Sequence, residues 1–441
     1  MTKTNEMKDC AIVVGGFSSG ALYAKEFAKR GIPPIHVPGA AKRPAVYQSQ
    51  SLAPEFVADL PFDEKVECVV DRLKSPPYCN YRPRLVVAGS DYAVERADRL
   101  AELLNLPSNG SALSETRRDK FLTSERLRQA GLNSPLQFRG AEPREAAAWV
   151  ASHPEIRYWV VKPTRSSGSD RVFKCDTPAE VAKAAGEIVG GTNVYGEHDD
   201  HFLVQEYLTC AADDNEYVVN TCSAIDPVSG EPVHRVVSIY RYEKISLNGA
   251  PFIYHARYLL PASGETQRKL SEYFLRCITL LGVRIGPCHG ELRMTDRGPA
   301  LVEMNAGRPD GGGIPDLDAS CTGHDQVSLT ADALLDPATF IHGAKEPYEL
   351  KKHGMLAFLA SRCEGVMLGI PGEHIVQSLP SYLRAVFLVR PGDKLVRTVD
   401  VTTLIGWIFL CHEDGDQLKK DYLALRRLEQ NGLFEFQPTA P

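Results

Sequence analysis

An α/β (α+β) chain of several folding units, with parallel α/β units at its front and a smaller β-rich unit at its end, is predicted from three observations. Two strand–turn–helix stretches lie near the N-terminus. A pair of alternating runs joined by a tight turn lies at residues 289–305. From His353 to Glu429 short strands alternate with Gly/Pro turns and end in a charged helix. The chain has 441 residues, 43% of them hydrophobic, too long for one core. A net charge of -6 argues against nucleic acid or an anionic membrane as the main partner. No run of about eighteen apolar residues suggests a membrane span. The start, MTKTNEMKDC, lacks an apolar signal region. Eleven cysteines without a CxxC pair read as scattered thiols of a reducing cytoplasm.

Residues 10–37 read strand, turn, helix, strand. Gly16-Phe-Ser18-Ser-Gly20 fits GxSxG, the nucleophile elbow of hydrolases. That elbow needs earlier strands to build its oxyanion loop, and about ten residues precede this one. The glycines do not spell GxGxxG, and the next strand ends without a carboxylate for a ribose. A tight turn into a helix N-terminus, able to hold a small anion or carboxylate, is the simpler account. A second unit covers 84–106. No GxxxxGK[ST] phosphate loop occurs.

Residues 114–131 form a basic helix, with Thr116 and Asp119 as a capping box and Gly131 as the stop. Lys120 lies in its first turns. RYWVVKPTRSSGSDRVFKC reads as two strands around a Ser/Gly loop. Lys162 ends an apolar strand, where a lysine is out of place without an anionic partner. Ser166, Ser167, Gly168 and Ser169 can turn N–H groups and hydroxyls toward phosphate oxygens. GEHDDH (196–201) has no fixed geometry for a metal and reads as a solvated loop. Strands follow at 201–208, 215–225 and 233–244, with Glu206 and Glu216 among apolar neighbours, and then a helix at 264–282. Residues 316–342 read as helical, and the β-rich remainder as a separate, smaller unit.

HGELRMTDRGPALVEMNAGRPDGGGIP, residues 289–315, organises the chain. A hairpin centred on Arg297 sets Glu291 opposite Glu303. His289, Glu291, Glu303 and Asn305 then share one face. Leu292, Met294, Val302 and Met304 fall on the core face, and Leu301 spoils the polar one. Opposed carboxylates repel, and a divalent cation would remove the repulsion. Glu, Glu and Asn offer only oxygen, which suits Mg2+ completed by phosphate. A solvated hairpin with a chance pair is the alternative.

Taken in order, these pieces resemble the ATP-grasp superfamily across nearly the whole chain. They are an N-terminal α/β domain, a lysine in a helix, a lysine before a Ser/Gly loop, QEYL, a second Glu on the next strand, and paired Glu strands ending in ExN. The C-terminal EGVMLGIPG, SLPSY, VRPGDKLVRTVD and GWIFL resemble the L-amino-acid ligases of that superfamily. The resemblance implies an ATP-grasp fold with a Rossmann-like N-terminal domain (1–113), a central subdomain with the phosphate loop (114–205), a large subdomain with the metal site (206–345) and a β-rich C-terminal subdomain (346–441).

It also implies roles. Lys120 and Lys162 contact ATP phosphates under the 166–169 loop. Glu206 faces the adenine amino group, framed by Tyr207 and Leu208, and Glu216 binds ribose. Glu291, Glu303 and Asn305 hold Mg2+ or Mn2+. Arg308, acting with Lys162 in catalysis, binds the substrate carboxylate or the transferring phosphoryl group. His289, Gly311 and Gly312 are further substrate contacts. Gly307 makes the spacing from the second metal Glu to Arg308 five residues where the family has four, and TCAADDN lengthens the turn before Glu216. The activity implied is ADP-forming ligation of amino acids through an acyl phosphate, in a cytoplasmic enzyme acting on small-molecule amino acids, with a homodimer as the assembly to test. Purine-pathway or biotin carboxylase-like ligases, and a nucleotide-binding protein without catalysis, are the rivals.

Overall fold

The computed structural model describes residues 7–44, 47, 51–209 and 216–438. Most of the TCAADDN turn, from residue 210 on, lies outside them. The first unit is a four-stranded parallel sheet in the order Ala58–Asp59, Pro34–Val37, Lys8–Val14, Tyr81–Ala88. Near-continuous apolar strands such as Ala11–Val14, buried throughout, demand cover on both faces. Helices Ala21–Lys29 and Val94–Leu103 supply part of it.

The second unit is an antiparallel sheet in the order Gln137–Gly140, Phe202–Glu206, Trp159–Pro163, Phe173–Cys175. Helices Pro143–Ala151 and Pro178–Ile188 pack on it through Ala146, Val181 and Ala185. The basic segment before it is two helices rather than one: Ser114–Arg118 and Lys120–Gln129. Asp119 between them is extended (φ -84, ψ 116), and its carboxylate accepts from the Leu122 N–H at 3.0 Å. Asp119 is therefore the N-cap of a new helix, not the far end of a capping box from Thr116. This break puts Lys120 at a helix start facing the sheet.

The third unit is an eight-stranded sheet. Its order is Gly298–Ala306, Gly286–Thr295, Glu216–Ile225, Pro232–Leu247, Ala250–Leu260, His353–Leu359, Gly406–His412, Tyr382–Phe387. The strand Ala250–Leu260 was not anticipated from the sequence; Tyr254, His255, Arg257 and Tyr258 interrupt its apolar run and leave no clean alternation. The C-terminal region is not a separate unit. Three of its strands continue the large sheet, because Ala256–Tyr258 pairs directly with Met355–Ala357. Only Lys394–Leu395, Gly365–Gly369 and Glu435–Pro438 form a small sheet of their own. Helix Glu265–Leu280 closes one face with Leu270, Phe274, Cys277 and Ile278, while much of the opposite face borders a cavity. Among the described residues no helix is long and apolar enough to cross a membrane.

Candidate active site

The cavity, about 960 Å³, opens where the three units meet. All the candidate residues named above line it. The register pairs Glu291 with Glu303 and His289 with Asn305. Past that point a β-bulge pairs Leu292 with Leu301 and leaves Val302 over. Leu301 is therefore buried in the core and Val302 lines the cavity, the reverse of the regular-hairpin expectation.

The two carboxylates are embedded in positive charge. Lys120 Nζ lies 3.4 Å from Glu303 and donates to the Ser166 carbonyl at 2.6 Å. Lys162 is buried; burial first, then Lys120, lowers its pKa to about 8 against the pull of Glu303. His289 Nε2 stands 3.5 Å from Glu291, and its Nδ1 lies 3.0 Å from Asn220 Oδ1 and 3.3 Å from Asp310. Burial works against the imidazolium, but Asp310 and Glu291 outweigh it and raise His289 to about 9. Burial alone would raise Glu291; His289, Lys244 and Arg257 hold it down at about 2. The donors Glu291, Glu303 and Asn305 are all oxygens on one face and suit a magnesium ion. Among the described residues no group of three or more His, Cys, Asp or Glu can hold a metal unaided. A cation here therefore fits only with phosphate oxygens completing its shell.

At one end, Val160, Tyr207, Leu208, Phe252 and Val302 make an apolar slot. Tyr207 stacks on Phe252 with ring centroids 6.0 Å apart. Glu206 is ion-paired with Arg297 of the hairpin turn. Glu216 is buried and bonded by Lys244 at 2.5 Å, with Arg293 3.8 Å away. Burial raises its pKa, against Lys244. The sequence reading missed both cations, although a buried carboxylate requires such partners. Arg293 lies two residues from Glu291 on the same face, which was the available signal.

The Ser/Gly loop is pinned at three points. Ser166 donates to Asp170 at 2.6 Å, Ser167 and Tyr195 hydroxyls meet at 2.5 Å, and the Val401 N–H donates to the Gly168 carbonyl at 3.3 Å. Gly168 has φ +70, and a Cβ there would collide with Val401. Asp199 of GEHDDH is buried and paired with Arg171, so that segment is only partly solvated.

Gly307 (φ +84) turns the chain after the hairpin so that Arg308 remains in the cavity wall. Arg308 Nε donates to Asp91, which also accepts from the Tyr195 hydroxyl at 2.8 Å. Asp91 and Tyr195 join the N-terminal unit and the Ser/Gly loop to Arg308, a link the sequence did not show. The N–H groups of Gly312 and Gly313 donate to Ser18 and Ser19 at 3.3 and 3.1 Å. The GxSxG turn thus holds the glycine strap through its two serine hydroxyls.

Residues 157–316 match the model of the ATP-grasp domain. The chain is 28% identical over 438 residues, 96% of each chain, to dapdiamide A synthase of Enterobacter agglomerans. Its fold is similar to that of the L-amino acid ligase from Bacillus licheniformis, with TM-score 0.73 and 19% identity, covering 98% of this chain and 99% of that one. The biotin carboxylase domain of the Hydrogenobacter thermophilus 2-oxoglutarate carboxylase, solved with magnesium ADP and bicarbonate, aligns with TM-score 0.61 and 12% identity over 98% of this chain and 91% of its own. Residues 157–316 are thus an ATP-grasp domain, in a chain similar over nearly its whole length to a dapdiamide A synthase and similar in fold to an L-amino acid ligase.

Proposed function

We propose that this chain is an ATP-dependent, ADP-forming carboxylate–amine ligase that joins amino acids into a dipeptide or amino-acid amide. The observation that carries the reading is the convergence of Lys120, Lys162, the Glu291–Glu303 pair and Arg308 on one cavity. The full-length likeness to a dapdiamide A synthase supports amide formation.

A carboxylate resists amines because its carbonyl carbon is shielded by negative charge. Phosphorylation by ATP gives it a good leaving group. In this reading the adenine enters the slot at Tyr207 and Leu208 beside Glu206, and Glu216 takes the ribose hydroxyls. Lys120 and Lys162 hold the phosphates, with Ser166, Ser167, Gly168 and Ser169 closing above them. Lys162, held near 8, gains proton affinity when a phosphate arrives. Glu291, Glu303 and Asn305 would hold Mg2+, which neutralises charge on the transferring phosphoryl group. Arg308 receives the donor carboxylate or the phosphoryl oxygens through two parallel hydrogen bonds. Asp91 fixes its guanidinium. His289 keeps Glu291 ionised and oriented, and Gly311 and Gly312 let the strap approach the substrate. The closed loop keeps water from the acyl phosphate.

Product analysis across a panel of amino-acid pairs tests the reading. ADP and phosphate in equal amounts with a new amide are expected. AMP and pyrophosphate would remove the acyl-phosphate route, and nucleotide binding without any turnover would favour a non-catalytic protein.

A further inference from the structure

The cavity continues past the strap of Gly311, Gly312 and Gly313 to an end without a task in the reaction above. Its wall is Tyr382–Phe387, the outermost strand of the large sheet, and the neighbouring Gly406–His412. Arg384 pairs with Phe409 and Val386 with Trp407, so these four side chains share a face. Trp407 Nε1 donates to the Gly312 carbonyl at 3.1 Å. The Arg384 guanidinium lies over the Phe409 ring at 4.7 Å and against Gly313, where φ is +89 and any Cβ would collide with it. Its Nη1 is 2.8 Å from Asp316, its Nε is buried with no hydrogen-bond partner among the described residues, and its side chain is 41% exposed.

The other cations around the cavity are committed. Lys120, Lys162 and Arg308 face phosphates or donor, while Lys244 and Arg293 are bound to Glu216. Arg257 is sealed on Asp310 with 3% of its side chain exposed. Arg390 sits on an exposed turn. Arg384 is packed in place yet still open.

We propose that Arg384 binds the carboxylate of the amino acid that acts as nucleophile. The acceptor is then an amino acid, not a simple amine, and becomes the C-terminal residue of the product. This rests on the ligase reading. In the transfer step the neutral amine attacks the carbonyl carbon of the donor acyl phosphate. The C–N bond forms, the C–O bond to phosphate breaks, phosphate leaves with the electron pair, and the nitrogen's surplus proton ends on the departing phosphate. The acceptor carboxylate takes no part in this and needs its own anchor, which a guanidinium fork supplies. The Arg384–Asp316 pair is half-exposed on both sides, hence weak, and yields to a carboxylate gripped by two hydrogen bonds. Arg308 and Arg384 flank Gly311 and Gly313, Cα positions at most about 7 Å apart, a span suited to two linked amino acids.

The test uses the full chain with ATP, Mg2+ and a donor amino acid, and three nucleophiles in parallel. These are an acceptor amino acid, its carboxamide, and hydroxylamine, which traps the acyl phosphate and has no carboxylate. The wild type should prefer the acid to the amide. Arg384→Gln should raise the KM for the acid at least tenfold and abolish that preference, while losing under threefold with hydroxylamine. Equal losses with all three nucleophiles, equal use of acid and amide by the wild type, or an acceptor defect in Arg390→Gln instead would overturn the proposal. Absence of hydroxamate with every donor in the wild type would overturn the ligase reading itself.

Discussion

Arg308 shows how one residue's surroundings set its expected behaviour. Its guanidinium is buried, and although burial opposes the charge, Asp91 outweighs that and raises its pKa. It is therefore a fixed cation at all working pH values, held in the cavity wall by Nε on Asp91 and by Nη1 on the Pro309 carbonyl at 3.0 Å. Lysine keeps the charge and loses the planar fork. Arg308→Lys should cut kcat by about 10²–10³, the usual cost of one donor to developing charge, with the KM for ATP near wild type. Steady-state kinetics with ATP and donor varied in turn would check this; ordinary turnover would show that another basic residue does the work. The hairpin's alternation pointed to Glu291 and Glu303, and the family resemblance pointed to Arg308 despite the extra Gly307. The sequence did not supply Asp91, Tyr195, Lys244 or Arg257. These are ordinary polar residues locally, and their partners lie on other strands or in another unit.

Among the elements, the hairpin and the Ser/Gly loop were legible for different reasons. Alternation and turn residues located the hairpin and the Glu291–Glu303 register. The bulge at Val302 was not legible, because VEM and LVE alternate equally well in either phase. The break at Asp119 was hidden by helix-compatible neighbours on both sides. The Ser/Gly loop is tethered through Gly168 to Val401, a contact 233 positions away in the numbering. Gly168→Ala forces a side chain onto φ +70 and into Val401, so it should displace the loop. We expect a KM for ATP raised about tenfold, roughly the 1.4 kcal/mol of one lost charge-assisted hydrogen bond. Hydrogen exchange over 164–170 should slow with Mg-ATP in the wild type and slow less in the variant. Unchanged exchange in the wild type would remove the loop from nucleotide binding.

At the scale of the molecule, the parallel front, the antiparallel middle and the order of units were legible, since each follows from local patterning. The union of residues 353–412 with the large sheet was not, because strand pairing across a hundred residues leaves no local trace. That union makes a strong expectation. A chain ending at residue 345 would strip three strands from the sheet and leave the edge of Ala250–Leu260 unpaired beside exposed Tyr254, Ala256 and Tyr258. It should aggregate or lose its cooperative melt, as followed by circular dichroism and light scattering. A soluble, cooperative, nucleotide-binding 1–345 fragment would show instead that the C-terminal strands are an appendage.

The shared sheet also bears on how such a protein can change. Glu291 and Glu303 lie on the strands at one margin, and Arg384 and Trp407 on the strands at the other, with four strands between. Tyr382–Phe387 has a hydrogen-bonded neighbour on one side only. A mutation there meets fewer packing constraints than one in a central strand, since its side chains are only partly buried, and lies four strands away from Glu291 and Glu303. With Arg384 as the proposed acceptor anchor, selection for new acceptors can work along that margin by single substitutions that leave the Glu291–Glu303 margin in its inherited form.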